Sequence, residues 1–187
     1  RSSADLPPSP PPTAAATPAA LRPIALPQDD APHADATTEW WYYSGHLDAE
    51  DGSRYAFHYV VFLLTAPGQF QATVAHAAVT DFASGTYLTG QRGRIGSIAP
   101  SAEGFAFDMD GWRMAGYAGR DLLVTGAGGY ALVLTTAPTR PPALHKGNGV
   151  VGYAQSTVSY YYSRTRMDVT GSLTAQGREK RVRGSAW

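Results

Sequence analysis

The sequence predicts an all-β protein, a meandering antiparallel barrel of about eight to ten strands, and three observations predict it. Short stretches rich in aromatic and β-branched residues recur at near-regular spacing, with turn residues between them. Long stretches of period 3.6 bounded by caps are nearly absent. Several of the stretches are apolar on both faces, as expected of strands that are covered twice or that wall a cavity. No repeat of fixed period points to a propeller or a solenoid.

Residues 1 to about 27 carry prolines at 7, 8, 10, 11, 12, 18, 23 and 27 among Ala, Ser and Thr. Such a composition buries too little surface to fold and reads as a semi-rigid, partly polyproline-II tether. Tethers of this kind often follow the cleaved signal or lipid anchor of an exported protein, so the expected location is the cell envelope. A linker to a further domain is the alternative.

The barrel domain is expected from residue 28 to 187, and Thr38–Leu47 organises it. Glu39 opens that stretch, His46 lies near its end, and Trp40, Trp41, Tyr42 and Tyr43 run between them. In a strand Glu39, Trp41 and Tyr43 share one face, and Trp40, Tyr42 and His46 the other. With rings on both faces, this strand either is buried on both sides or walls a cavity for something large and apolar, and we take the second reading.

Asp51-Gly52 then marks a hairpin into Arg54–Leu64. There Tyr55, Phe57, Tyr59, Val61 and Leu63 face one way and His58, Val60, Phe62 and Leu64 the other, so a second layer or a partner is expected to cover one side. Pro67-Gly68 leads into Phe70–Phe82, and Ser84-Gly85 into Thr86–Gln91. Phe105–Asp110, Trp112–Tyr117, Leu122–Thr125 and Tyr130–Thr136 follow, with Gly126, Gly128 and Gly129 read as turn glycines. Ala137–Gly149 is the longest loop and the expected place for one short helix. Ala154–Ser163, Arg166–Ala175 and Lys180–Trp187 complete the set.

Fifteen basic residues balance fifteen acidic ones, so no net charge steers the chain toward nucleic acid. No run of about 18 apolar residues suggests a spanning helix. With no cysteine, disulfides and thiolate metal sites are excluded. There is no Gly-x-Ser-x-Gly elbow, no phosphate loop and no His-Glu-x-x-His motif. Histidines at 33, 46, 58, 76 and 145 have no local metal-ligand spacing, so no metal and no cofactor are expected. Arg178, Lys180, Arg181 and Arg183 read as a solvated edge.

Two groups stand out as titratable candidates. Glu39 precedes a strand of buried rings and is expected at the barrel mouth, where it serves as a catalytic group or as a structural acceptor. His76, between Ala75 and Ala77, has room beside it; a satisfied core histidine is the alternative. The two are expected to face each other within hydrogen-bonding reach, since a buried carboxylate needs a partner. His46 and His58 read as structural. Trp40, Trp41, Tyr42, Trp112, Tyr161, Tyr162 and Trp187 are the expected ligand-binding rings. Buried tyrosines also commonly tie down backbone through their hydroxyls.

The same residues resemble a family pattern, that of the carotenoid 1,2-hydratase/AttH-like proteins. Glu39-Trp40-Trp41-Tyr42-Tyr43 with Gly45 and Leu47 resembles their opening motif, and His76-Ala77-Ala78-Val79-Thr80-Asp81 a later strand. Gly111-Trp112, Lys146-Gly147 with Gly149, and Tyr160-Tyr161-Tyr162-Ser163 with Arg166 and Gly171 resemble further elements in order. Val182–Trp187 resembles the first half of a closing motif that continues with an aspartate.

The resemblance implies a lipocalin-like (streptavidin-type) barrel, normally the first of two. It also implies addition of water across a terminal alkene of an acyclic carotenoid, without metal or nucleotide. The aspartate of the closing motif is then the better candidate for the initial acid. The expected partners are an apolar polyene or lipid-like molecule and a second barrel or another copy of the chain. A non-catalytic binding module for an apolar ligand is the competing reading, and assembly with a partner barrel a third.

Overall fold

A computed structural model describes residues 22–66, 70–97, 103–152 and 158–187. The expectations for residues 1–21, and part of the strand expected over Ala154–Ser163, lie outside the described residues. Among the described residues fourteen strands form, and ten of them make one antiparallel sheet ordered β4-β3-β2-β1-β14-β13-β8-β7-β6-β5. Its members are β1 (Thr38–Ala49), β2 (Arg54–Ala66), β3 (Phe70–Asp81), β4 (Thr86–Ile95), β5 (Phe105–Met109), β6 (Trp112–Tyr117), β7 (Arg120–Ala127), β8 (Tyr130–Pro138), β13 (Met167–Ala175) and β14 (Arg178–Ala186).

Two meanders, β1 to β4 and β5 through β8 to β13 and β14, are joined where the first strand pairs with the last. Gly45 there opposes Ala186, and Ala49 opposes Val182. Between β8 and β13 the chain makes two small ribbons, β9 (Ala143–Leu144) with β12 (Tyr162–Ser163) and β10 (Val150–Gly152) with β11 (Val158–Tyr160). The described part of the strand expected at Ala154–Ser163 is thus two short pieces outside the main sheet. The helix expected in the long loop is one 3₁₀ turn, His145–Gly147. A second turn covers Gln28–Asp30.

Alternation sets the core. Tyr55, Phe57, Tyr59, Val61 and Leu63 of β2 are buried, and Leu123, Leu132, Leu134, Val169 and Leu173 meet them from the other strands. Burying each such side chain stabilises the fold by roughly 1.5–3 kcal/mol. The far end is closed by polar groups. Lys180 Nζ donates to Tyr55 Oη at 3.0 Å and pairs with Asp51 at 2.8 Å, while Tyr130 donates to Asp81 at 2.9 Å. The basic run at 178–183 is therefore no sheet edge. Its strand lies between β1 and β13, and the pleat turns Lys180 inward while Arg181 and Arg183 face solvent.

Among the described residues the edges are β4 and β5, which face each other across a seam without a ladder. Side chains bridge it. Arg92 of β4 donates to the carbonyl oxygens of Met109 and Asp110, and its guanidinium lies 5.1 Å from the centre of the Trp112 ring. Gly90 lies so close to that ring that an added Cβ would sit 3.0 Å from its edge.

Candidate functional site

The site lies at the barrel end where β1 begins. Pleating places Glu39, Trp41 and Tyr43 on the inner face, as the alternation predicted. Trp41 packs against Phe105 and Phe107 at 5.9 and 4.8 Å between ring centres. Across this mouth runs the irregular segment 22–37, held by two polar clusters, and a third lies beneath it.

Asp30 anchors the first. It is fully buried and accepts from Tyr162 Oη at 2.5 Å, from Arg164 Nη2 at 2.8 Å to each oxygen, and from the Ala118 N–H at 2.8 Å. Its carbonyl accepts from the Trp41 indole at 2.9 Å. Burial works against the Arg164 charge, but the bonds to Asp30 outweigh it and raise the guanidinium pKa. Burial and the Asp30 charge push the Tyr162 phenol up.

His33 anchors the second. Its backbone N–H donates to Glu39 Oε2 at 2.8 Å, its Nδ1 meets Oε1 at 2.7 Å, and its Nε2 lies 3.3 Å from Asp29. Asp29 in turn holds Arg22 through two bonds of 2.8 and 2.9 Å. Glu39, then Asp29, raise the imidazole pKa against the cost of burial. Burial also opposes the Asp29 charge, yet bonds from Arg22, the Ala25 N–H and His33 hold that carboxyl down at about 2.

The third is deeper. Asp121 of β7 is 3% exposed and accepts from Tyr43 Oη at 2.7 Å through Oδ2. Its Oδ1 has no hydrogen-bond partner among the described residues and packs on Gly116, where no side chain would fit. Burial, reinforced by the Asp30 charge, raises its pKa. Burial, with Asp121 beside it, raises that of Tyr43 well above the ordinary phenol range.

Between and around these clusters lies a cavity of about 920 Å³. Glu39, Trp40, Trp41, Tyr42, Tyr161, Tyr162 and Trp187 all line it, as does Asp121. Tyr161 donates to or accepts from Tyr42 at 3.1 Å and meets Trp40 edge-on at 5.8 Å, and His145 stacks on it at 4.0 Å.

Two expected members lie elsewhere. Trp112 is buried in the core against Tyr59, 6.0 Å between ring centres, and is not among the lining residues. His76 is exposed on the outer face of β3, 6.1 Å from the Phe62 ring. It opposes Val60, an outward position of β2, so it cannot meet Glu39. The expected Glu39–His76 pair is replaced by Glu39–His33. His58 is also outward, bonded to Ser44 at 2.6 Å, and burial followed by the nearby His76 lowers its pKa.

Sequence reasoning missed Asp30, Arg164, His33 and Asp121. Alternation from Leu123 was enough to turn Asp121 inward; no local signal tied His33 to Glu39.

An antiparallel meander wrapped around an aromatic-lined cavity defines a lipocalin-like barrel. The AttH-like family profile matches residues 17–187, and the chain belongs to that family. It is similar to the crystal structure of an AttH protein from Nitrosomonas europaea, with 27% identity and a TM-score of 0.78, over 90% of this chain and 55% of that one. It is also similar in fold to kievitone hydratase from Nectria haematococca, with 13% identity and a TM-score of 0.64, over 90% of this chain and 52% of the other. The chain thus spans about half the length of these two proteins. No curated protein matches it.

Proposed function

We propose that the barrel binds an apolar, unsaturated molecule and hydrates it by acid catalysis, with an acyclic carotenoid or related polyene as substrate. One observation carries the reading: a carboxyl, Asp121, is buried in the wall of an aromatic cavity, where desolvation favours its protonated form. A neutral carboxylic acid in apolar surroundings is a competent proton donor to an alkene.

In this scheme the Asp121 proton goes to the terminal alkene carbon, the π electrons form the new C–H bond, and a tertiary carbocation remains. The faces of Trp41 and Tyr43 stabilise that cation. Water adds to it and yields its proton to Glu39, which the His33 N–H and ring hold in place. Transfer of that proton back to Asp121 completes the cycle, with no net change beyond one water added.

The test uses the full-length protein, an acyclic carotenoid in detergent, and mass spectrometry to detect the gain of one water. Asp121→Asn and Glu39→Gln should each cut turnover by about tenfold or more, with an unchanged far-ultraviolet circular dichroism spectrum. Full turnover by Asp121→Asn refutes the acid assignment. Binding without any hydration by the unmodified protein supports the non-catalytic binding module instead.

We also propose a docking role for the outer face of β1–β4. From Trp40, Tyr42, Phe62 and Leu64 across to Val74 and Ile95 that face is lined by apolar groups, with His58 and His76 as its titratable members. Contiguous exposed apolar groups mark interfaces, and a second barrel-sized unit fits the greater length of the AttH protein. Among the described residues no helix is long and apolar enough to cross a membrane. The cell-envelope location is a proposal that fractionation of the native host tests.

A further inference from the structure

We propose that the cavity takes one elongated molecule in two lobes, its reacting end inside the barrel and its far apolar end in an aromatic cradle on the outer face of β1. Which end reacts rests on the hydratase reading; the two-lobed binding does not.

The pleat of β1 carries the inference. Trp41 and Tyr43 point into the barrel, while Trp40 and Tyr42 oppose Phe62 and Val60 of β2 and point out of it. All four nonetheless line the same cavity. Phe105, Asp121 and Met167 join the inner pair. Trp187 joins the outer pair. It exchanges backbone hydrogen bonds of 3.0 and 3.1 Å with the outward-facing Ser44, and residues so paired share a face. A cavity walled by both faces of one strand passes over the end of that strand. β1 begins at Thr38, and Thr37, Thr38 and Glu39 are the lining residues at the crossing.

Length can be accommodated only in that direction. One step deeper than Asp121 on β7, Leu123 opposes Leu134, and both are fully buried with Tyr59 in the core that fills the barrel. None of the three lines the cavity. The outer lobe, by contrast, is built and open. Tyr161 meets Trp40 edge-on, and its hydroxyl bonds that of Tyr42. The Tyr161 N–H donates to the Gly149 carbonyl at 2.8 Å, its carbonyl accepts from the His145 N–H at 3.1 Å, and the His145 ring stacks on its own. Its rings are thus set before any ligand arrives, and Trp187 is still 49% exposed. An apolar chain laid along these rings removes their faces from water. An alkene end in the inner lobe then sits between Asp121 and Glu39, and the rest of the molecule leaves over the rim.

The experiment uses geraniol, farnesol and geranylgeraniol, uncharged alcohols with the same alkene end on chains of increasing length. Equilibrium dialysis against the full-length protein, with each alcohol carried by cyclodextrin, compares variant with unmodified protein, so the carrier cancels for each alcohol. Trp40→Ala and Trp187→Ala should each weaken geranylgeraniol by about tenfold or more and geraniol by less than about twofold. Trp187 is half exposed, so its replacement tests the lobe without opening the core. A loss that does not grow with chain length, no loss in either variant, or no binding of geranylgeraniol by the unmodified protein overturns the proposal. A length-dependent loss in a protein that hydrates no alkene refutes the hydratase reading alone. Hydration of a carotenoid without any length-dependent loss refutes the two lobes alone.

Discussion

Replacing Asp30 by Ala should destabilise the protein more than any other single change at the mouth. The substitution removes the only carboxylate within bonding distance of Arg164 among the described residues, whose side chain is 11% exposed. It also strips acceptors from the Tyr162 hydroxyl and the Ala118 N–H. Breaking a buried ion pair by deleting one partner costs about 3–5 kcal/mol, because the other charge stays behind without compensation. For a chain of this size that lowers the melting temperature by about 6–20 °C.

Urea unfolding followed by fluorescence and circular dichroism gives the free energy directly. A cycle with Arg164→Met separates loss of the pair from loss of packing. The double variant should be more stable than Asp30→Ala, because it no longer buries an orphan guanidinium. A loss below about 1 kcal/mol in Asp30→Ala, or a double variant as unstable as the sum of the singles, refutes this account of how segment 22–37 is held.

Three further outcomes follow from the geometry. His33 has a raised pKa, so its contribution is complete below the ordinary imidazole value of 6.5 and is lost as pH climbs through the raised one. Proteolysis within residues 22–37 should therefore be about twofold or more faster near pH 8.5 than near pH 6, and a pH dependence surviving unchanged in His33→Gln counts against the latch. Arg92→Ala removes the seam's charge-assisted bonds and should cost about 1–3 kcal/mol. Its amide exchange should rise in β4 and β5 and stay unchanged in β8 and β13; a uniform rise refutes the clasp. Phe62→Lys places a charge on the outer face of β2 and should abolish self-association seen by sedimentation, whereas an unmodified chain that stays monomeric at high concentration argues that the face is not an interface.

The barrel was legible because its strands declare themselves one by one. Alternation fixed which side of Trp41 and of Tyr59 faces inward, and Asp51-Gly52 fixed the first hairpin. The phase of β3 was harder to read. Ala72, Ala75, Ala77 and Ala78 put small residues on both of its faces, so only pairing with β2 shows that His76 points outward. The mouth was less legible still. Asp30 meets Ala118 across 88 positions and Arg164 across 134, and no local pattern encodes contacts at such separation. The basic run at 178–183 misled because charge alternation looks the same on an edge strand and on one that joins two meanders.

The union of β1 with β14 also bears on the order in which this protein is made. Of the ten strands of this sheet β1 leaves the ribosome before the others, and its partner on one side, β14, leaves after them. Until then β1 pairs only with β2, and the meander from β1 to β4 has two bare edges. Segment 22–37 waits as well, because Asp30 finds neither Tyr162 nor Arg164 until 132 and 134 further residues have been added. Closing so long a loop carries an entropic cost that the last contacts must repay. The binding site is therefore a late product of synthesis: nascent chains hold its aromatic rings, yet none has a finished mouth before β13 and β14 arrive.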